Sequence, residues 1–64
     1  MEKKMIEALN KTIRTYETIY NDGNRKLADE VFHQFMAQMK LVEEVTGKKA
    51  ELIEVKDGYE VILK

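Results

Sequence analysis

The feature that most constrains this chain is residues 24–46, which are predicted to form one helix that is apolar around more than half of its circumference. At about 100° per residue, one group of apolar side chains fills a narrow sector and two further groups flank it. The sector contains Ala28, Val31, Phe35, Met39 and Val42, with Leu27, Leu41 and Val45 on one flank and Phe32 and Met36 on the other. A helix that only lies on a surface needs an apolar stripe of about 100°. This helix therefore needs cover from two directions.

Residues 2–20 are predicted to form a second amphipathic helix, which covers one side of the helix at residues 24–46. Its apolar residues alternate at spacings of 3 and 4, which is typical of the a/d seam of a helical bundle. They are Ile6, Leu9, Ile13, Tyr16 and Tyr20. Gly23 suits the left-handed position that ends a helix, and Asn24 suits the N-cap of the next one. So short a connection favours an antiparallel helical hairpin.

A β-hairpin after the helices supplies the second cover. Gly47 is another helix-ending glycine. Residues 50–55 and 59–63 are rich in Val, Ile, Leu and Tyr, which is typical of strands. The Asp-Gly pair between them is a strong hairpin signal. The sequence therefore predicts an α+β fold of order ααββ in a single domain, residues 1–64.

Two registers of this hairpin compete. The first, with a two-residue turn, pairs Ile53 with Ile62. The second, with a three-residue turn and a glycine bulge, pairs Ile53 with Val61 and gathers apolar side chains on one face. Because register follows the hydrophobic pattern, we favour the second, although it sets Glu54 opposite Glu60. Its apolar face would consist of Ile53, Val55, Tyr59, Val61 and Leu63. Both turns require a positive φ at the turn glycine.

The short length of the chain predicts a homodimer. A chain of 64 residues buries only about 60% of its unfolded surface, so its stability is marginal without reinforcement. Small scaffolds usually gain it from disulfides, a metal or a partner chain. No cysteine and one histidine exclude a disulfide and an imidazole-rich metal site within one chain. We therefore expect a two-fold dimer, built as a four-helix bundle, which we favour, or by edge-to-edge pairing of two hairpins. The alternative is a docking site for another protein. The predicted dimer or partner interface consists of Ile13, Tyr16, Tyr20, Phe32, Phe35, Met36, Met39, Tyr59 and Val61.

The sequence predicts a cytoplasmic protein with no membrane partner. No apolar run approaches the roughly 20 residues that span a bilayer. Residues 1–4 lead into an amphipathic helix rather than into an apolar signal core. The absence of cysteine fits a reducing compartment.

Catalytic chemistry is not expected. The chain contains no serine, no glycine-rich phosphate loop and no zinc-protease motif. His33, the single histidine, falls opposite the apolar sector of its helix, so we interpret it as exposed and dispensable. So small a chain also has little volume for a pocket of converging groups. We predict no enzyme activity, no cofactor and no metal.

The leading hypothesis is a small non-enzymatic protein–protein interaction or regulatory module that acts as a homodimer. The alternative is a weak nucleic-acid-binding accessory protein, which the net charge of −1 does not favour. Its candidate nucleic-acid or anion contacts lie on the first helix and in the helix–helix turn. They are Lys4, Lys11, Arg14, Arg25 and Lys26.

Overall fold

A computed structural model describes residues 2–64 and confirms the α+β fold of order ααββ. Its elements are α1 (Glu2–Asn21), α2 (Arg25–Thr46), β1 (Ala50–Val55) and β2 (Gly58–Leu63). The two strands form one antiparallel sheet. Helix α1 is one residue longer than predicted, and β2 begins one residue earlier. Within the described residues, neither helix is long and apolar enough to cross a membrane.

The connection between the helices is built as the sequence predicts. Gly23 has a φ of +89°, and its N–H donates to the carbonyl of Tyr20 at 3.0 Å. The N–H of Asn24 donates to the carbonyl of Ile19 at 3.3 Å, which completes a Schellman motif. The Asn24 side chain then accepts from the N–H of Leu27 at 3.2 Å, as an N-cap does. These bonds fix an antiparallel helical hairpin.

The core lies where α1, α2 and one face of the sheet meet. Phe35 and Ile13 are completely buried there, and Leu9 and Val61 are nearly so. The full set of buried apolar residues is Leu9, Ile13, Ala28, Phe35, Val42, Ala50 and Val61. Members of the predicted central sector of α2 thus form the core, whereas its two flanks are less well covered.

Both predicted hairpin registers are wrong. The structure pairs Leu52 with Val61 and Val55 with Gly58, so the turn consists of two residues between this last pair. Gly58 does have the predicted positive φ, +139°, but it begins β2 instead of occupying the turn. The face toward the helices carries Ala50, Leu52, Val61 and Leu63. Ile53, Val55 and Ile62 lie on the opposite face, contrary to the prediction for Ile53 and Val55.

The physical reason for the error is an apolar pattern with no clear period of two. Leu52 and Ile53 are adjacent, as are residues 61–63, so a slip of one residue still places apolar side chains on the core face. The observed register also separates Glu54 from Glu60, which now face Tyr59 and Ile53. The like-charge contact of the favoured prediction is thereby avoided.

Side chains of the two helices hydrogen-bond to the outer edges of the sheet. Lys64 N–H donates to the Lys49 carbonyl at 2.8 Å, so by alternation the N–H groups of Ala50 and Val61 point away from the partner strand. Asn10 of α1 accepts from the Val61 N–H at 2.8 Å. Glu43 of α2 accepts from the Ala50 N–H at 2.9 Å. Each strand edge is therefore tied to a different helix.

Replacing Gly58 should destabilise the hairpin for two separable reasons. A Cβ at this position would lie 2.7 Å from Oε2 of Glu17, and a φ of +139° strains any residue with a side chain. We expect Gly58→Ala to lower the free energy of unfolding by about 1–3 kcal/mol, measured by urea denaturation. The double variant Gly58→Ala/Glu17→Ala should recover only the part of the lost free energy of unfolding that comes from the steric clash with Glu17. An unchanged urea midpoint for the single variant would contradict this account.

Removing the acceptor on Asn10 should also destabilise the fold. Asn10→Ala leaves the Val61 N–H without its partner, and we expect a loss of about 1–2 kcal/mol in the free energy of unfolding. Asn10→Asp is the matched control, because a carboxylate oxygen can still accept this bond. If both variants had the same stability, the hydrogen bond would not be what holds α1 along β2.

Candidate functional site

The nine predicted interface residues do not form one surface. Ile13, Phe35 and Val61 are buried inside the monomer, so they cannot contact a partner while the chain is folded. Three others are partly buried against this core: Tyr16, Phe32 and Met39. The remaining three, Tyr20, Met36 and Tyr59, are exposed. The prediction of an interface at the core residues is therefore corrected.

The exposed aromatic residues lie near the helix–helix turn. The ring of Tyr16 is 5.8 Å from that of Tyr20 and 5.2 Å from that of Phe32, centroid to centroid. Tyr59 of β2 lines the same shallow depression. The guanidinium of Arg25 lies 4.6 Å from the centroid of the Tyr20 ring, in cation–π geometry. Met36 lies apart from them, in a groove with Met39 and Ala50 between α2 and β1.

A different surface is the best candidate site, and we call it the open helical face. On each helix its residues fall within about 80° at 100° per residue, and all of them are at least partly exposed. On α1 they are Met5, Ala8, Thr12, Thr15 and Ile19; on α2 they are Leu27, Val31, Gln34, Gln38, Leu41 and Val45. Leu27, Leu41 and Val45 are 42%, 60% and 61% exposed.

The open helical face lies on the side of the helix pair that the sheet does not cover. Asn10 and Glu43, the side chains that hydrogen-bond to the sheet, mark the covered side. On the helical wheel, Asn10 lies about 180° from the centre of the stripe on α1, and Glu43 about 160° from that on α2. The sheet therefore packs on one side of the helical hairpin and leaves the other side open.

The chemistry of the open helical face is unlike that of the rest of the surface. Charged residues make up 36% of the chain, yet none of the residues of this face is charged. The hydroxyls of Thr12 and Thr15 donate to the carbonyls of Ala8 and Lys11 on their own helix, at 3.1 and 3.0 Å. Their methyl groups are thus left for apolar contacts. Such an uncharged, largely apolar surface is typical of a binding surface.

The sequence contained a signal for this face. From Leu27 to Val45 the six residues on α2 follow spacings of 4, 3, 4, 3 and 4, which is a complete a/d seam. A count of apolar residues misses this seam because Gln34 and Gln38 occupy its centre. In the sequence, Leu27, Leu41 and Val45 form one flank of the apolar sector of α2, and the predicted interface does not include them.

The basic residues are exposed, but they are mixed with carboxylates. Lys4, Lys11 and Arg14 lie on the outer side of α1, and Glu7 lies among them. Arg14 also lines a groove that contains Glu17, Asp57 and Glu60. Arg25 contacts Tyr20, as described above, and Lys26 lies on the other helix. Across the described part of the chain, these five basic side chains do not gather into one patch free of carboxylates.

The candidate metal ligands of the described residues are dispersed over the fold. His33 is exposed on α2. Within residues 2–64, no three or more His, Asp or Glu side chains are placed to hold a metal ion. Comparisons of the chain with protein-family models, curated proteins and solved structures found no match. The open helical face is therefore the feature on which a functional proposal can rest.

Substitutions at His33 and Phe35 should have opposite outcomes although the residues are two apart. His33→Ala removes an exposed side chain, and we expect the free energy of unfolding to change by less than about 0.5 kcal/mol. Phe35→Ala empties the core, and we expect a loss of about 3–5 kcal/mol, comparable with the whole stability of so small a chain. Urea denaturation measures both. A marked loss for His33→Ala would show that this side chain has a structural partner.

Proposed function

We propose that this protein is a small non-enzymatic protein–protein interaction module with a regulatory role that works as a homodimer. The observation that carries the proposal is the open helical face, whose leucine and valine side chains are exposed in a monomer although no charged residue lies among them. Exposing this area to water is unfavourable at roughly 25 cal/mol per Å² of apolar surface. A second chain that covers it would stabilise the fold.

The small size of the core supports the same proposal. Seven apolar side chains are buried among residues 2–64, and a single core rarely supplies more than about 3–5 kcal/mol in a chain of this length. Disulfides are excluded because the chain has no cysteine. A partner chain is the remaining means of reinforcement. As a regulatory module the dimer would act by occupying a surface of another protein, and it would need no cofactor.

The mixed charge of the remaining surface makes nucleic acid the weaker hypothesis. Phosphate backbones are bound by clusters of Lys and Arg, whereas here the candidate residues are interleaved with carboxylates. The proposal includes the cytoplasmic location, which the cysteine-free sequence supports.

Sedimentation equilibrium tests the proposal. Across about 1–200 µM, the range expected for a small interface, we expect the mass to rise from that of one chain, 7.5 kDa, to twice that value. Fluorescence anisotropy with labelled duplex DNA is the parallel measurement, and we expect no change at moderate salt. A chain that stays monomeric at the highest concentration would refute the homodimer, and salt-dependent DNA binding would favour the alternative function.

A further inference from the structure

We infer that the dimer is a four-helix bundle in which the open helical faces of two copies pack together, with α2 antiparallel to the partner's α2. This inference rests on the proposed function and adds the surface, the register and the residues at the two-fold axis. The second copy is the occupant because the pattern of this face is self-complementary. The face would bury its leucines and valines at both ends and its glutamines at the centre.

The self-complementarity is visible in the order of residues along α2. The seam has two apolar residues, then two glutamines, then two apolar residues, so it has the same pattern in both directions. An antiparallel copy places Leu27 opposite the partner's Val45. It also places Gln34 opposite the partner's Gln38. Two-fold symmetry needs this equivalence, since each contact must occur twice.

The two ends and the centre of the stripe on α1 are related by the same axis. The stripe runs from Met5 to Ile19 with Thr12 at its centre, so that apolar side chains again lie at both ends. The centres of the α1 and α2 stripes lie at similar distances from the turn at residues 22–24, which connects the helices. One two-fold axis can therefore pass through the middle of both stripes.

Hydrogen bonding decides which helices meet across the interface. A buried glutamine needs both a donor and an acceptor opposite its amide, and another glutamine supplies both. The hydroxyls of Thr12 and Thr15 already donate within α1, so they are poorer partners. Pairing Gln34 with the partner's Gln38 lets each amide donate one hydrogen bond and accept one. A polar pair within an apolar seam also fixes register.

The available area is that of a small dimer interface. The stripes from Met5 to Ile19 and from Leu27 to Val45 are about 21 and 27 Å long at 1.5 Å per residue, and two packed helices form a face about 20 Å wide. The face is therefore about 480 Å² per chain, or about 960 Å² in total, close to the roughly 1,000 Å² expected of a biological interface. The sheet edges are less suitable, because Asn10 and Glu43 already hydrogen-bond to them.

A pair of charge substitutions on α2 tests the surface. Leu41→Glu and Met36→Glu both replace an exposed residue, 60% and 51% exposed respectively, but Leu41 lies on the open helical face and Met36 on the side of the sheet. We expect Leu41→Glu to raise the dimer dissociation constant by about 100-fold or more, since it buries a charge in the interface. Met36→Glu should leave the constant within a few-fold of the wild type.

Circular dichroism is the control that both variants remain helical. Val45→Glu repeats the test at a second exposed position of the open helical face. If the wild type were monomeric, the proposed homodimer itself would fail. If the wild type were a dimer that Leu41→Glu and Val45→Glu left intact, the homodimer would stand and this interface would be overturned.

Cross-linking tests the register, and the absence of native cysteine makes introduced thiols unique. Chains carrying Leu27→Cys and Val45→Cys are mixed and treated with a short thiol-specific cross-linker. We expect the mixed pair to cross-link efficiently. Each variant alone should not, because its two thiols would be about 27 Å apart along the helix axis. Cross-linking of Leu27→Cys alone would show parallel helices, and no cross-link in the mixture would overturn the pairing of α2 with the partner's α2.

Discussion

A two-stranded sheet is too narrow to cover two helices, and most of this structure depends on that mismatch. Strands lie about 4.8 Å apart, whereas packed helix axes lie 8–10 Å apart and expose apolar residues on more than one side. Here the sheet closes one side of the helical hairpin and creates the core around Phe35. Within residues 2–64 no second layer covers the opposite side, so its apolar side chains stay exposed.

The edges of the sheet show how this chain limits unwanted strand pairing. A two-stranded sheet consists of edge strands, which are sites of aggregation when they are left free. Asn10 and Glu43 occupy one outward N–H on each strand, and Glu54 places a charge on β1. Fewer backbone groups on the sheet edges are therefore free to pair with another strand.

The fold could be predicted from the sequence because its signals were local. The glycines at 23 and 47 and the cap at Asn24 mark the helix boundaries, and their hydrogen bonds are those that such residues form. The hairpin register could not be predicted, since the strands are apolar on both faces and one of the contacts that select the register joins Val61 to Asn10, which lies 51 positions away in the chain. The interface prediction failed at Ile13, Phe35 and Val61 for a related reason. In a small chain, the most apolar residues are buried in the core of the monomer and are therefore not available for an interface.

The hydrogen bond between Asn10 and Val61 has a consequence for the order of folding. These residues are 51 positions apart in sequence, so closing the loop between them is entropically costly. The helical hairpin needs only neighbouring segments, and local contacts form fastest. An isolated two-stranded hairpin is marginal in water, and this one reaches its full set of edge hydrogen bonds only against finished helices. The helices also leave the ribosome before the strands. We therefore expect the sheet to form on helices that have already folded, with its register set by contacts with the helices instead of by its own turn.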